Sequence, residues 1–391
     1  MDNPTTNYSA KIILKGVPLI NENIISLTIK EWMFDLIPRC EMLFNDDGTF
    51  SELMMVEDLD KLEVIISKQH DDTDVLQSEF FVQDCKIVQV ADNKGSQIYI
   101  TGILNCPKLF FPMKNKSFKN KNSKNTLRSV CNDSGLLVTS TGFNTNDMMT
   151  WLQINQTNFD FIKHVLHRSN KVDDCVLGYI NLNKEFILTS LKTELDKQQF
   201  KTARYSISKS FEKLSNIDEK DIWYNYHKSH NINGYMNKLN NYGVKLNYYD
   251  LTESKDKTIT STIKKTRKTF KSKDAINSFV QLYNFGIENN VYTSYHEAYI
   301  RNDFYLKDFF SYNVFLNVNS QTIINIFDKV ELIVPSLPIY DAGSVNELIG
   351  GTYLVAGIIH HISKGGIYKK EISLHRNGFN ESNHQTSYTS Q

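Results

Sequence analysis

His164 and His167 stand three residues apart and are followed by Asp173 and Asp174, donor types and a spacing that can hold a metal ion. The competing reading is an exposed helix end, where basic groups offset the negative end of the helix dipole. No HExxH pattern and no cysteine partner accompany the pair, so no metal is expected. His360 and His361 are adjacent in a β-like run, so they point to opposite faces and cannot share an ion. Glu185, Glu194, Asp46 and Asp47 are carboxylates of the kind a glycosidase sets across a cleft, but their positions bring no two together. No GxSxG elbow, phosphate-binding loop or dinucleotide fingerprint is present, and Gly350-Gly351 and Gly365-Gly366 belong to turns. No catalytic residue and no cofactor is expected.

Two lysine-rich stretches offer a different chemistry. Lys114, Lys116, Lys119, Lys121 and Lys124 surround Phe118, and Lys264, Lys265, Arg267, Lys268, Lys271 and Lys273 surround Phe270. A basic patch with an aromatic can bind a phosphate backbone. The alternatives are a solvated loop or a docking surface for an acidic protein neighbour. Lys264, Lys265, Arg267 and Lys268 are the candidate interface residues on that last reading.

The whole chain sets bounds on these readings. Its 391 residues exceed a single core, so two to four domains are expected. Forty per cent are hydrophobic, as in ordinary globular proteins. Lys and Arg number 44 and Asp and Glu number 44, a balance unlike the basic footprint of a dedicated nucleic-acid binder. Five scattered cysteines without a CxxC pair read as reduced, mostly buried thiols of a protein made in a cytosol. The first residues do not read as a signal peptide, and no apolar stretch is long enough to span a bilayer, so no membrane insertion is expected.

The elements that must position these residues show a repeat. Asp60-Lys61-Leu62-Glu63-Val64-Ile65-Ile66 is a short strand, followed by Phe80 to Val90, a turn at Asp92-Asn93-Lys94-Gly95, and a return strand from Gln97 to Ile103. Asp328-Lys329-Val330-Glu331-Leu332-Ile333-Val334 matches the first run in character. Tyr353 to Ile362, the turn Lys364-Gly365-Gly366 and Tyr368 to Arg376 match the rest, with a longer connection from Pro335 to Gly351. Upstream, Tyr8 to Val17, Ile24 to Lys30 and Glu41 to Phe44 read as strands, with Ile25, Leu27 and Ile29 on the buried face of the second. Ala203 to Lys209 and Tyr312 to Val318 are expected to play those parts in the second copy. Such a compact antiparallel barrel closes its own edges or pairs them with neighbours.

The intervening residues 112 to 200 read as a small α+β domain. Ser123 to Cys131 is a helix stopped near Gly135, Phe159 to Asn170 is a clearer helix capped by Thr157 or Asn158, and Asp174 to Tyr179 with Lys184 to Leu188 is a hairpin. Phe159, Ile162, Val165 and Leu166 form the second helix's apolar stripe. Tyr242 to Asp250 reads as a strand, Thr258 to Phe270 as a loop or exposed strand, and His296 to Phe310 as helical.

Four passages carry a likeness. Ile25 to Lys30 through Cys40 to Phe44, Leu109-Phe110-Phe111-Pro112, Trp151 with Gln156 to Ile162, and Gly351 to Asn380 follow one another in an order that resembles the central baseplate hub proteins of contractile-tailed phages. The same fold occurs in the hub portion of type VI secretion spike proteins and in late-control tail proteins. The resemblance implies an α+β, mainly β fold with two similar antiparallel β-barrel (tube) domains and inserted small α+β domains. Residues 1–111 would form the first barrel and 112–201 the small α+β domain. Residues 202–239 with 308–378 would form the second barrel, 240–307 an inserted α+β segment, and 379–391 a flexible tail.

It also implies a non-enzymatic role in the virion's tail baseplate, assembled in the host cytoplasm. The protein would be a homotrimer whose six modules match a hexameric tail tube on one face and a trimeric central spike on the other. DNA would pass its lumen after spike release, and tape measure and baseplate wedge proteins would be further neighbours. The spike would be a separate protein, and the basic insert near Lys264 has no counterpart in the resemblance. Two other functions compete: a peptidoglycan-degrading tail enzyme using the carboxylates above, and a carbohydrate- or receptor-binding tail module exposing Tyr248, Tyr249 and Tyr283.

Overall fold

A computed structural model describes residues 8–376 except 69–73, 90–94, 141, 173, 207–220, 232–243, 251–254, 262–277, 285–294, 296–297, 300, 303–304, 307–311, 321, 337–344, 347–348 and 365–366. Seven strands come first: Tyr8–Leu14 (β1), Val17–Pro18 (β2), Ile24–Trp32 (β3), Arg39–Asp46 (β4), Lys61–Lys68 (β5), Asp74–Gln89 (β6) and Ser96–Leu104 (β7). They hydrogen-bond in the order β3-β4-β7-β6-β5-β1-β2. Alternation of apolar and polar residues puts Ile12, Met42, Val64, Phe80, Ile98 and Ile100 inside the curved sheet, all fully buried. In β3 a bulge between Ile24 and Ser26 shifts the alternation. Ile24 therefore joins Leu27 and Ile29 in the core, and Ile25, expected there, is only half-buried.

The next stretch holds Pro107–Phe110 (α1), Lys114–Lys121 (β8), Ser123–Asp133 (α2), Leu137–Ser140 (β9), Met149–Gln156 (β10), Asn158–Arg168 (α3), Val176–Ile180 (β11), Glu185–Ser190 (β12) and Leu191–Leu195 (α4). Both longer helices begin at side-chain caps. Asn122 Oδ1 accepts from Asn125 N at 2.9 Å, and Thr157 Oγ1 accepts from Asp160 N at 3.0 Å. The buried stripe of α3 is Phe159, Phe161, Ile162 and Val165, with Leu166 at its margin. Strands β8 and β10 pair antiparallel, and β12 lies between β11 (antiparallel) and β9 (parallel).

The remaining strands are Lys201–Tyr205 (β13), Asp221–Asn231 (β14), Val244–Asp250 (β15), Lys255–Ser261 (β16), Ser278–Asn284 (β17), Tyr312–Val318 (β18), Lys329–Ile333 (β19), Gly351–Ser363 (β20) and Ile367–Arg376 (β21). Six of them close into a ring, β13-β14-β18-β21-β20-β19, with β19 returning to β13. Ala203, Ile222, Val314, Leu332, Leu354 and Ile372 fill it. The mainly β reading therefore holds, with one barrel fully closed. Among the described residues no pair joins β2 to β3, so the first module's hydrogen-bonded ring stays open there, and β3 instead pairs with β20 to make one thirteen-stranded sheet.

Strand β14 lies within 202–239, the stretch assigned above to the second barrel, but the sequence marks no strand there. Its first half alternates with Ile222 and Tyr224 inside, but Tyr226 to Asn231 carries no apolar alternation to mark it. Strand β13 also runs parallel to both neighbours, whereas β1 is antiparallel to β5. The stretch from 240 to 307 contributes a sheet in which β15 pairs antiparallel with β16 and parallel with β17, placing Tyr249 opposite Tyr283 in the backbone register.

The repeat extends to individual backbone irregularities. Asp60 Oδ2 accepts from Glu57 N at 2.7 Å, and Asp328 Oδ2 accepts from Asn325 N at 2.9 Å. The preceding residues, Leu59 and Phe327, have φ of 70° and 74°. Each turn then bonds the same strand position: Leu59 N to Val82 O and Val82 N to Asp60 O, Phe327 N to Val355 O and Val355 N to Asp328 O. Bulges fall between Val82 and Asp84 in β6 and between Val355 and Gly357 in β20. They fall again between Ile24 and Ser26 in β3 and between Tyr224 and Tyr226 in β14. Two unrelated modules would not share all of these features, because each bulge and each non-glycine positive φ carries a local energetic cost.

Candidate functional site, the joint between the modules

The two modules meet where β3 pairs with β20, from Ser26 opposite Ser363 to Trp32 opposite Gly357. A side chain at Gly357 would collide with the Trp32 ring, its Cβ falling 2.2 Å from Cε3. Glycine inside a strand marks such a close approach. The seated indole stacks on Phe315 (6.4 Å between centroids, 13° between planes) and meets His375 edge-on at 5.7 Å. Module one thus supplies an aromatic wedge and module two its socket.

Beside the wedge lies a buried polar cluster that draws on three parts of the chain. Glu31 of β3 is 9% exposed and accepts a 2.6 Å hydrogen bond from Tyr179 Oη of β11. His360 of β20 lies with Nε2 3.4 Å from the second Glu31 oxygen and Nδ1 2.7 Å from Tyr368 Oη of β21. Burial lowers the His360 pKa, with Lys370 acting in the same direction and Glu31 opposing. A neutral ring protonated on Nε2 satisfies every partner, donating to Glu31 and accepting from Tyr368. Burial, followed by the Glu31 charge, raises the Tyr179 hydroxyl well above the ordinary tyrosine value, so it stays a donor. Lys370 is pushed down to about 8 by burial, and its ammonium donates to Thr322 O at 2.7 Å. Arg376 is also buried, its guanidinium 4.5 Å from the Tyr353 ring and donating to Gly350 O at 2.7 Å.

A charge in such a setting holds geometry more than it adds stability, because its desolvation offsets most of its attraction. One Glu31 carboxylate fixes β3, β11 and β20 to one another. Ile180 N, which donates to Leu36 O at 2.8 Å, is a second tie between the intervening stretch and module one.

The residues singled out for chemistry are engaged separately. His164 is held to about 4 by burial and by the Arg168 charge, and stacks on Phe161. His167 meets the Tyr299 ring, and Asp174 accepts from Cys175 N and Lys192 N and pairs with Lys171 at 2.6 Å. Asp173 lies outside the described residues. Among the described residues no three His, Cys, Asp or Glu side chains gather as a metal site. Asp46 caps the turn at Phe50 and Ser51, Asp47 caps Thr49, Glu185 bonds Asn181 and Thr139, and Glu194 bonds Thr189 and Lys197. Each carboxylate serves its own turn or strand end.

In the first lysine stretch Phe118 is buried, the Lys116 and Lys121 ammonium groups lie over its ring, and Lys116 pairs with Asp133. Lys264, Lys265, Arg267 and Lys268 lie outside the described residues. No described helix is long and apolar enough to cross a membrane. Glu31 and Gly357 escaped the sequence reading, although both left a signal: an acid continuing the buried alternation of Leu27 and Ile29, and a glycine within the apolar run Tyr353 to Ile362.

No protein-family model matches the chain, and no curated protein matches it. Solved structures do. A tail protein from Neisseria meningitidis superposes with a TM-score of 0.58 at 8% identity, over 95% of this chain and 97% of that one. The 43 kDa tail protein of prophage MuSo2 from Shewanella oneidensis gives 0.55 at 12% identity, over 95% and 100%. The fold is that of phage tail proteins. It extends to an E. coli type VI secretion component similar in structure to the T4 bacteriophage tail proteins gp27 and gp5, with a TM-score of 0.50 at 8% identity over 95% of this chain and 79% of that one. In this tail-protein fold the joint described above lies wholly within one chain, between two copies of one module.

Proposed function

We propose that the chain is the structural baseplate hub of a contractile phage tail. Three copies form an adaptor that joins the hexameric tail tube to a trimeric central spike and lets DNA pass once the spike is released. The observation that carries this reading is the residue-level repeat. Two modules matched in turn, bulge and register, and joined edge to edge, supply six similar units from three chains, the number a six-membered tube requires. Its partners on this reading are two further copies of itself, the tube, the spike, and tape measure and wedge proteins. The division at 1–111, 112–201, 202–239 with 308–378, and 240–307 belongs to the same proposal. Lys264, Lys265, Arg267 and Lys268 serve as its candidate docking residues for an acidic neighbour.

The role is structural rather than enzymatic. Asp46, Asp47, Glu185 and Glu194 are each committed to a turn or strand end, and the similar solved proteins are tail components. Light scattering on the purified protein, alone and mixed with a candidate spike protein or tail tube protein of the same particle, tests the proposal. Three chain masses alone, or in complex with the spike, are expected. A monomer that binds neither spike nor tube overturns it.

A further inference from the structure

The chain is tied together at a second place, away from the joint. Between β17 and β18, Tyr295, Ala298, Tyr299, Asn302, Tyr305 and Leu306 are helical and recur at steps of three and four, one stripe of a helix. Ala298 and Asn302 are buried. Tyr295 packs on the core that module one shares with α2 and α3, whereas Tyr305 and Leu306 pack on the core of the second barrel. The stripe therefore bridges two cores, and it does so across the last turn of α3. Asn302 Nδ2 donates to His167 O at 3.0 Å and to Ser169 O at 2.7 Å, covering carbonyls that a helix end leaves open. Arg301 donates to Asn170 Oδ1. The Arg168 guanidinium lies over the Tyr295 and Tyr299 rings, 4.7 and 5.4 Å from their centroids, and donates to Tyr295 Oη.

One titratable ring sits under this contact. His164 Nε2 lies 3.5 Å from Tyr295 Oη, and its ring stacks on Phe161. Burial raises the Tyr295 hydroxyl above its ordinary value, so it keeps its proton. A neutral His164 ring can accept that proton at Nε2, whereas a protonated ring has no acceptor to offer. The charged groups around it are nearly all basic. Arg168 and His167 of α3 act directly on the ring, and Arg301 stands on the same helical stretch as Tyr295. Beyond Phe161, the Phe118 ring of β8 carries the Lys116 and Lys121 ammonium groups. Trp151 of β10 backs Tyr295 and brings no charge. One turn earlier on α3, Lys163 lies over Phe159, and Asp160 is engaged by Thr157. Among the described residues no carboxylate acts on His164 to offset a new positive charge.

We propose that this stripe is an acid-released latch on the end of α3: protonation of His164 drives off Tyr295 and frees the chain between β17 and β18 from the helix. His164 is held at about 4 against Tyr295 and has an ordinary value of 6.5, so the closed latch binds one proton fewer than the open one. Opening is therefore favoured as pH falls below 6.5, by about 30-fold at pH 5, and the gain levels off below about pH 4. The latch is a property of the single chain and does not depend on the hub reading.

Hydrogen exchange read by mass spectrometry on the full-length chain, corrected for the intrinsic pH dependence of exchange, tests the latch, because it reports local opening separately from global unfolding. Between pH 7.5 and pH 5, peptides over residues 295–306 and over the last turn of α3 should lose protection by about 30-fold. Peptides over β20 and β21 should keep theirs. In His164→Gln the protection of the latch peptides should no longer change between the two pH values. His164→Phe, which keeps a ring against Phe161 and takes up no proton, should behave in the same way if the first variant folds poorly. A wild type equally protected at both pH values overturns the latch. So does a loss at pH 5 that persists in both variants, since another group would then carry it. A loss that extends to β20 and β21 is unfolding of the whole chain and overturns the latch as a separate device.

Discussion

Replacing Gly357 by alanine tests the inter-module wedge most directly. The new Cβ would stand 2.2 Å from Cε3 and 2.4 Å from Cζ3 of Trp32. Carbon atoms rest at about 3.5–4.0 Å, so the indole must retreat by about 1.3 Å or more. Overpacking of this kind costs about 1–3 kcal/mol. The retreat also weakens the stack on Phe315 and the edge contact with His375, each worth about 0.5–1.5 kcal/mol. Gly357→Ala should therefore destabilise by about 2–5 kcal/mol. Trp32→Leu alone should also destabilise, by loss of the same contacts. The double variant separates the wedge from general damage, because leucine at 32 leaves room for the alanine methyl. It should cost less than the sum of the singles by about 1–3 kcal/mol, the range for residues in contact. Urea unfolding followed by far-UV circular dichroism measures all four proteins. Additivity within about 0.5 kcal/mol would refute the wedge.

Three further outcomes follow from the joint and the repeat. Glu31→Gln and Tyr179→Phe should be coupled by about 1–2 kcal/mol in a double-mutant cycle, since a hydrogen bond to a charged acceptor exceeds a neutral one; independent effects would remove Glu31 as the shared tie. Asp60→Ala should cost about 1 kcal/mol, as for other side chains that hold a turn N–H. Asp328→Ala should cost less at neutral pH, because burial raises the Asp328 pKa and disfavours its charge. Equal losses in thermal unfolding would contradict that ordering. His164 has a folded pKa of about 4 against an ordinary 6.5, so the unfolded chain takes up its proton first on acidification. Its contribution is complete above pH 6.5 and declines between 6.5 and about 4, by up to about 1.4 kcal/mol per pH unit. His164→Gln should flatten the stability profile across that window, and an unchanged slope would place the effect elsewhere.

Much of the architecture was legible in the sequence because it rests on local periodicity. The Asp-Lys runs at 60 and 328, the strand after each and its return strand are where alternation and turn residues put them, as are the capped α2 and α3 helices. These features depend on neighbours within a few residues, which a linear reading sees. The β14 strand was missed because its second half, from Tyr226 to His230, is largely exposed and carries no apolar alternation to read. Strand β6 likewise loses buried alternation from Asp84 to Val88.

Tertiary structure decided the joint. Glu31, Tyr179, His360 and Tyr368 come together from four strands across more than three hundred residues, and no spacing rule connects them. The same holds for Trp32 and Gly357, where the absence of a side chain matters only because a ring from the other module occupies the space. The sequence by itself therefore determined the modules, their duplication and most of their strands, through patterns that act over one or two turns of chain. Closure of the second barrel and the seam between modules were set by long-range packing, where burial and register are fixed only once the strands have met.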